Sequence, residues 1–348
     1  MDKGFGSVEQ PRFLFINLKS NRHSRTRNYF NGLKKLGVSC EWIDVGGLSG
    51  LKEQSEKVKR YLNGEAKVVI TAPSHVLVLY FVLLFYRKPV LDAGWPLYDG
   101  VISSRRQYGV LGIILLKTFV VDFFAFHLTS KVLVESEAQA KAVSRRYFVG
   151  KRKISVLLTG FDEVRFGVKA HSKSDVGINI LFRGGAQDEA GIEILAEAIH
   201  KVKDLKLRFR LITSGFQPKI PLGLNVELVN EYVSDEELEQ AFAAADLVLG
   251  QLSNHKRLNR TIPHKFFEAA FLGKPYLSSD KGLMKELSEL GLIFTFAGGD
   301  VDDLAKSMVR ITQDLSSAKR TGVALNEWYL KNASQLALSK RLLELVSS

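Results

Sequence analysis

The chain has 348 residues, of which 46% are hydrophobic and 25% charged, and its formal net charge is +12. Its length exceeds the usual size of one hydrophobic core, so we expect two domains, and its composition excludes a disordered or fibrous protein. The single cysteine, Cys40, excludes an internal disulfide, and the first residues lack the apolar core of a signal peptide, so a cytoplasmic protein is predicted.

Strand-like and helix-like segments alternate through the first half of the chain. Predicted strands cover residues 12–18, 38–45, 67–72, 88–94, 131–136 and 153–160. After a first helix that ends near Gly37, predicted helices cover residues 51–62, 74–87, 105–127 and 137–148. This alternation predicts parallel βαβ units in a doubly wound sheet.

A polar, glycine-containing segment, 160–177, interrupts the pattern and is typical of an interdomain linker. The alternation then restarts, with a capping box predicted at Ser234 and Glu237. The strands are 178–185, 207–215, 225–230, 246–252 and 274–280, and the helices are 190–203, 234–245, 263–272 and 325–346. The sequence thus predicts two tandem Rossmann-like doubly wound α/β domains, with ligands at the strands' carboxyl ends in a cleft between the sheets.

The charge is distributed unevenly along the chain. Residues 1–153 contain 25 Lys and Arg against 12 Asp and Glu, a net +13, whereas residues 154–348 contain 24 against 25, a net −1. A one-sided excess indicates an anionic partner for the first domain: a membrane surface, a phosphate-bearing substrate or nucleic acid. No nucleic-acid-binding pattern is present, so no nucleic-acid partner is predicted.

Two apolar segments of the first half could contact a membrane. Residues 76–86 are too short to span a bilayer, and residues 109–126 are long enough but contain Lys117 and Asp122. The second segment therefore predicts a buried or interfacial helix. If part of it is exposed, its late Phe residues and the arginines at 105–106 would form an interfacial membrane contact.

The turn after the strand that starts at residue 178 is a candidate phosphate site. Arg183, Gly184 and Gly185 end this strand, and a helix starts near Gly191. Glycines let the backbone approach a phosphate, a helix N-terminus favours negative charge, and an arginine adds a fixed cation. The alternative is an ordinary strand–turn–helix junction.

Glu268 places one carboxylate inside an apolar stretch, FFEAAFLG. Thr261 can cap the predicted helix, and Pro263 suits its first turn. A partly buried carboxylate needs hydrogen-bonding partners. Hydroxyls of a ribose or another sugar would serve, and so would Lys265 or Arg260 within the protein, so the sequence leaves both interpretations open.

Candidates in the first domain follow the carboxyl ends of its strands. A basic loop after the first strand suits an anion, and a turn with aromatic and acidic residues after the fourth suits a sugar. The alternatives are a solvated basic surface, a Pro/Gly turn with a packed Trp, and a packed or helix-capping His. The candidate residues are Arg22, His23, Arg25, His75, Asp92 and Trp95.

Taken in order, these segments resemble a GT-B glycosyltransferase of the large retaining family 4, the glycosyl transferases group 1. LFRGGAQDEAGIEILAEAI resembles the family's first strand, turn and helix of the donor domain. IPHKFFEAAFLGKPYLSSD resembles its most specific stretch, "P.K.fEyla.GkPvi", and KISVLLTGFDEVRF resembles a segment at the end of its first domain. The resemblance covers residues 12–346 and is strongest from residue 131 on.

The resemblance implies transfer of a sugar, with retention, from a nucleotide-sugar co-substrate to a saccharide or lipid-linked acceptor, without a metal or another cofactor. It implies an acceptor-side domain at 1–165, a nucleotide-sugar domain at 166–324 and a C-terminal helix, 325–348, that packs back on the first domain. Such an enzyme would serve polysaccharide biosynthesis in the cytoplasm, at the cytoplasmic face of a membrane.

The resemblance also assigns roles to residues of the second domain. Arg183 would contact the diphosphate and Glu268 the ribose or donor sugar, with Lys265 as a third catalytic candidate. The remaining donor-binding positions would be Gly184, Gly185, Tyr232, Val233, Arg260, Thr261, Ile262 and Pro263.

Two positions depart from the family's pattern. Ala190 stands where the family usually has Lys, and Arg260 stands where it often has the first of two carboxylates. Lys265, Arg257 or Arg260 would then supply the missing cation, and Lys265→Ala or Arg260→Ala would abolish nucleotide binding in calorimetry. The departures leave open a non-catalytic GT-B subunit; a GT-B epimerase would need paired acids and histidines that the sequence does not assemble.

Overall fold

The computed structural model describes residues 13–18, 23–104, 111–167, 177–203, 205–219, 222–223 and 225–347, without the side chains of 102–104 and 111. Arg22 and the arginines at 105–106 lie outside the described residues. The chain divides into two compact units: unit 1 comprises Met1–Thr159 and Gln335–Ser348, and unit 2 comprises Gly160–Ser334.

Unit 1 is built on a parallel six-stranded sheet with the strand order β2-β1-β3-β4-β5-β6. The strands are β1 (Phe13–Asn17), β2 (Cys40–Asp44), β3 (Lys67–Thr71), β4 (Val90–Gly94), β5 (Lys131–Val134) and β6 (Ile154–Val156). The helices between them are α1 (Ser24–Lys35), α2 (Leu48–Glu53), α3 (Ser55–Asn63), α4 (His75–Phe85), α5 (Leu97–Ser104), α6 (Leu111–Leu128) and α7 (Glu137–Tyr147). Central strands such as β1 and β4 are buried along their whole length, as expected when helices cover both faces of a sheet.

Unit 2 has a second parallel six-stranded sheet, with the order β12-β11-β10-β7-β8-β9. Its strands are β7 (Ile178–Arg183), β8 (Leu207–Ile212), β9 (Val226–Val229), β10 (Leu247–Leu249), β11 (Tyr276–Ser279) and β12 (Phe294–Phe296). Its helices are α8 (Ile192–Lys201), α9 (Asp235–Ala244), α10 (His264–Phe271), α11 (Leu283–Glu289), α12 (Val301–Gln313) and α13 (Leu315–Asn332). The last helix of the chain, α14 (Gln335–Ser347), belongs to unit 1.

The two doubly wound sheets confirm the predicted fold class, but some of the predicted elements differ from the observed ones. The helix predicted at 51–62 is two helices, α2 and α3, and a short helix, α5, precedes α6 where a turn was expected. The strand β12 was not predicted. The capping box at Ser234 and Glu237 is confirmed, because the Ser hydroxyl and the Glu carboxylate each accept the other residue's backbone N–H.

The single helix predicted over 325–346 is wrong, since the chain breaks between α13 and α14. The backbone N–H groups of Ala333 and Ser334 both donate to the carbonyl of Tyr329, and the Ser334 hydroxyl donates to the carbonyl of Leu330. These bonds end α13, so the chain enters unit 1 at Gln335 rather than at residue 325.

Helices cover the unit 1 sheet on two faces, each with its own core. One core contains side chains from α2, α3, α4, α6 and α7, and the other contains side chains from α1 and α14. No helix among the described residues has the length and apolarity needed to cross a membrane.

Gly32 of α1 permits the close approach of α14. A Cβ at this position would lie 2.1 Å from the Gln335 carbonyl oxygen and 2.2 Å from the Ser339 hydroxyl. We therefore expect Gly32→Ala to lower the free energy of unfolding by about 1 to 3 kcal/mol, as overpacking does, measured by urea unfolding. Gly112→Ala on α6 is the control, because nothing lies within 4 Å of its Cβ and alanine favours a helix by up to about 1 kcal/mol. Equal effects of both changes would contradict the close-approach argument.

Candidate active site

The strand order of unit 2 reverses between β7 and β10, its topological switch point. From β7 the chain proceeds outward through β8 and β9, and from β10 it proceeds in the other direction through β11 and β12. In open parallel sheets, ligands bind outside the carboxyl ends of the strands at such a point. The segments that follow β7 and β10 therefore define the candidate site, and they contain most of the residues predicted from the sequence.

Arg183, the last residue of β7, is paired with Glu268 of α10. Its Nη1 lies 3.5 Å from Glu268 Oε1, and the side chains are 32% and 2% exposed, respectively. The sequence suggested Lys265 or Arg260 as an internal partner of this carboxylate and assigned Arg183 to a diphosphate. In the structure the arginine reaches both Glu268 and solvent, so one guanidinium can hold the carboxylate and face an anion.

Glu268 is a buried carboxylate whose hydrogen bonding is incomplete. Its Oε2 has no hydrogen-bond partner among the described residues. Burial raises the pKa of Glu268, although the nearby charges of Arg183, Arg165 and Lys265 act in the opposite direction. Such a group costs folding free energy unless something else supplies a donor, which a hydroxyl of a ligand would do.

Lys265 lies one turn before Glu268 and is itself enclosed. Its ammonium group donates to the Gly250 carbonyl oxygen at 2.8 Å and lies 4.1 Å from the centre of the Phe182 ring. Burial and the charge of Arg183 hold the pKa of Lys265 well below its ordinary value. Lys265 therefore ties α10 to the end of β10 and is poorly placed to add positive charge at the surface of the site.

The N-terminus of α8 is fixed against the loop after β10. Gly191 has a φ of +70°, and a Cβ there would lie 2.7 Å from the backbone nitrogen of Ser253. The Ser253 hydroxyl donates to the Glu189 carbonyl, and Arg257 Nη1 lies 2.5 Å from Glu189 Oε1. This packing holds the first turn of α8 beside the segment that leads to α10.

Neither α8 nor α10 has a side-chain cap at its N-terminus. The helices α1, α2, α3, α4 and α11 likewise lack a side-chain cap, whereas α7, α9, α12 and α13 are each capped by a Ser or Asp side chain. The predicted cap of α10 by Thr261 is wrong: Pro263 is the N-cap residue, and the Thr261 hydroxyl donates to the Arg257 carbonyl. The uncapped N–H groups of two helices that follow β7 and β10 suit an anion.

The other predicted donor-binding residues differ in exposure. Gly184 and Gly185 are half-buried after β7, and the Gly184 N–H already donates to the Ile212 carbonyl. Ile262 is buried, whereas Arg260 is half-buried. Tyr232 is 94% exposed and Val233 is half-buried, just before the capping box of α9. Contact of these residues with a nucleotide stays a prediction.

In unit 1, Arg25 and Asp92 form a buried ion pair. Arg25 Nε donates to Asp92 Oδ1 at 2.8 Å, and its Nη1 donates to the Leu157 carbonyl at 2.7 Å and to the Thr159 hydroxyl at 3.2 Å. Thr159 in turn donates to Glu135 at 2.6 Å. These residues join α1 to the carboxyl ends of β4, β5 and β6 from within unit 1.

His75 is also enclosed. Its Nε2 lies 3.8 Å from Asp122 Oδ1, and burial lowers the pKa of His75, so the ring is neutral at physiological pH. His23 and Trp95 remain partly exposed and their rings meet edge to face, with centroids 5.5 Å apart. Of the described first-domain candidates, these two are the ones with partly exposed side chains, whereas Arg25, His75 and Asp92 are buried.

Sequence reasoning missed two charged residues of these clusters. Arg165 acts electrostatically on Glu268 and pairs with Asp235, but it lies in the segment predicted as a linker. Asp122 accepts hydrogen bonds from the backbone of Leu97 and Tyr98 and so caps α5. Its place in an apolar helix was the signal that Asp122 needs a partner. The partner could not be identified from the sequence because α5 was not predicted. Among the described ranges, no group of three or more His, Cys, Asp or Glu side chains could hold a metal ion.

Two parallel Rossmann-like units with these sheet orders define the GT-B class of proteins, and the structural neighbours confirm it. HepE (Alr3699) of Anabaena, solved with UDP, matches with a TM-score of 0.69 and 16% identity over 97% of this chain and 99% of that chain. Sucrose-phosphate synthase of Thermosynechococcus elongatus matches with a TM-score of 0.68 and 14% identity over 97% of this chain and 98% of that chain. The catalytic domain of starch synthase IV of Arabidopsis thaliana, solved with ADP and acarbose, matches with a TM-score of 0.68 and 10% identity over 97% of this chain and 99% of that chain.

The sequence points to the same class within unit 2. Residues 177–314 match the model of the family described as glycosyl transferases group 1. The matched range includes both Arg183 and Glu268. A search of curated proteins gives no match in sequence. The resemblance to GT-B glycosyltransferases predicted from the sequence is thereby confirmed.

Proposed function

We propose that this protein is a glycosyltransferase that binds a nucleotide-sugar at the switch point of unit 2 and transfers the sugar to a saccharide or lipid-linked acceptor. The observation that carries the proposal is the Arg183–Glu268 pair, which combines a partly exposed cation with a buried carboxylate whose Oε2 has no hydrogen-bond partner within the described part of the chain. The family match over residues 177–314 and the neighbour solved with UDP-glucose support the choice of donor.

The proposed chemistry places negative charge on the leaving diphosphate. Preorganised N–H groups at the N-termini of α8 and α10, together with Arg183, would stabilise that charge as the bond to the sugar breaks. Glu268 would accept hydrogen bonds from hydroxyls of the ribose or donor sugar. Retention at the anomeric carbon and independence of a divalent metal belong to the proposal and follow the resemblance.

Part of the proposal concerns the acceptor. His23 and Trp95 combine a ring with partial exposure after β1 and β4, which suits the face of a sugar. Burial lowers the pKa of His23, so its ring is neutral at physiological pH and can accept a hydroxyl proton. Cytoplasmic location and a role in polysaccharide biosynthesis belong to the proposal and follow the resemblance.

One observation favours a non-catalytic subunit as the second candidate. Ala190, at the position where the resemblance expects Lys, is buried in the core of unit 2, and its carbonyl accepts the N–H of Leu252. Lys265, the predicted substitute, is enclosed as well. A subunit of this kind would bind a nucleotide-sugar without turning it over.

A nucleotide-sugar is expected to raise the melting temperature. At 100 times its Kd, a ligand stabilises the folded state by about 2.7 kcal/mol, which corresponds to roughly 5 to 10 °C for a unit of this size. The measurement is thermal unfolding with UDP-, GDP- and dTDP-sugars, followed by a turnover assay with the donor that stabilises most. Turnover supports the enzyme, and stabilisation without turnover supports the non-catalytic subunit. No stabilisation by any donor would contradict both.

A further inference from the structure

Unit 1 exposes an apolar surface on two neighbouring helices. Among the described residues, sixteen large hydrophobic side chains are exposed, and eight of them lie on α4, on α6 or just after α4. We call these eight the α4–α6 face: Tyr80, Leu83, Leu84, Tyr86, Ile113, Leu116, Val120 and Phe124. Such a concentration exceeds the scattered apolar residues that are normal on a protein surface.

The spacing of these residues shows that each helix has two apolar sides. On α6, Ile113, Leu116, Val120 and Phe124 recur at helical spacing, whereas Ala125 and Phe126 are buried against the sheet. On α4, Leu77, Val78 and Phe81 fill the same core. Because α4 and α6 pack side by side on one face of the sheet, their outer stripes form a continuous surface. Burial within unit 1 therefore does not account for the outer apolar stripes of these helices.

Positive charge borders this face, and neither α4 nor α6 carries an exposed carboxylate among the described residues. Arg87 and Lys88 follow α4 and are exposed, and Lys117 is exposed within α6. The only acidic residue of α4 and α6 is Asp122, which is buried. No ion pair is formed by the three cations within the part of the chain that the structure describes.

A second group of cations lies beside the end of α6. Lys153 donates to the His127 carbonyl at 2.7 Å, and Lys151 and Arg152 precede it. The segment after α4 lies beside the same end of α6, because the backbone N–H and the hydroxyl of Ser130 both donate to the Pro89 carbonyl, at 2.8 and 3.0 Å. The basic residues therefore cluster at one end of the apolar face.

We propose that the α4–α6 face docks on the surface of a bilayer that contains anionic lipid. The apolar side chains enter the boundary between headgroups and acyl chains, and the cations at the end of α4 and before β6 contact lipid phosphates. Lys117 reaches the headgroups from within the apolar stripe by extending its side chain. The proposal needs neither a donor nor an acceptor, so its test is independent of the proposed function.

Charge distinguishes a bilayer from a second copy of the chain as the occupant. Two copies related by a two-fold axis through this face would bring the same cations together, without carboxylates on the face to balance them. An anionic surface neutralises these cations instead. It also accommodates Tyr80 and Tyr86, since amphipathic rings favour the headgroup region of a membrane.

Vesicle flotation with an apolar-face variant is the first test. Leu83 and Ile113 are 71% and 74% exposed, so Leu83→Glu and Ile113→Glu should leave the fold intact. Each is expected to lower partition onto vesicles of phosphatidylcholine and phosphatidylglycerol at least about tenfold, because a methyl-rich side chain is replaced by a charge that anionic lipid repels. Leu336→Glu is the matched control, since Leu336 is 43% exposed on α14, on the opposite face of the sheet.

The second test changes the charge alone. Lys88→Gln with Arg152→Gln is expected to lower partition about thirtyfold on vesicles with phosphatidylglycerol, since each cation near an anionic surface contributes about fivefold. Lys34→Gln with Lys340→Gln removes the same charge from exposed residues of α1 and α14 and should leave partition unchanged.

Three results would overturn the proposal. One is wild-type protein that does not float with anionic vesicles. Another is equal partition of Leu83→Glu and Leu336→Glu. The third is a wild-type dimer in sedimentation that Leu83→Glu converts to monomer without any change in vesicle binding, which would assign the face to a second copy.

Discussion

Arg183→Ala is expected to lower turnover of the nucleotide-sugar by about 100- to 1,000-fold, the loss that follows removal of one preorganised donor to a developing charge. Arg183 is the best placed cation, because it ends β7 at the switch point and is 32% exposed, whereas Lys265 is enclosed. Arg183→Lys should restore only part of the rate, since an ammonium cannot hold Glu268 and a phosphate in a bidentate fork.

The same substitution also affects folding, and the two effects can be separated. Without Arg183, the carboxylate of Glu268 loses its nearest cation while it stays buried, which destabilises the protein. The double variant Arg183→Ala with Glu268→Gln removes the unpaired charge, so its melting temperature should recover while its turnover stays low. Recovery of turnover along with stability would show that Arg183 acts only through the fold.

A matched pair elsewhere in unit 2 supplies the control. Arg210 on β8 is 37% exposed, and its Nε lies 3.5 Å from Glu227 Oε1. Arg210→Ala removes a similar guanidinium from a strand without touching the candidate site. It should leave turnover within about twofold of wild type, because a surface ion pair contributes little. A comparable loss in Arg210→Ala would contradict the assignment of Arg183.

The fold could be predicted from the sequence because it depends on patterns that repeat along the chain. Continuous apolar strands such as β1 and β4 and the capping box of α9 are local signals, and each predicted the element that the structure has. The break before α14 was missed because it depends on hydrogen bonds to the Tyr329 and Leu330 carbonyls, which apolar periodicity does not reveal.

The sequence predicted which residues form the candidate site but not which of them pair with each other. Arg183, Lys265 and Glu268 were all identified, yet the sequence could not show that Arg183 holds Glu268 while Lys265 donates to Gly250. These contacts join residues that are far apart in the chain and depend on which side chain is buried. Arg165 illustrates the same limit, because only the folded chain brings it near Glu268.

Glu268→Gln is expected to separate folding from donor binding. Burial raises the pKa of Glu268 in the folded protein above its value in the unfolded chain, which is about 4.3. At a pH between these two pKa values, the folded state holds a proton that the unfolded state has lost. Stability therefore falls as the pH rises through this window, and the deficit persists above it. Glutamine cannot ionise, so the variant should not show this fall.

Urea unfolding from pH 4 upward measures this difference. The stability of Glu268→Gln relative to wild type should increase with pH and then level off. Lys265 opposes this trend, since its lowered pKa makes stability rise with pH, so the comparison is repeated in a Lys265→Met background. A constant difference at every pH in that background would contradict a raised pKa for Glu268.

Although Glu268→Gln should stabilise the folded protein, it should weaken binding of the nucleotide-sugar. A neutral amide accepts hydrogen bonds from sugar hydroxyls more weakly than a carboxylate, so Glu268→Gln should raise the Kd about tenfold in calorimetry. Glu227→Gln, in the matched pair on β9, should leave the Kd unchanged. If Glu268→Gln is more stable yet binds the donor as wild type does, then Glu268 contributes nothing to recognition. A weaker complex in a more stable protein would show that the chain retains a buried carboxylate at the expense of its own stability because the ligand requires it.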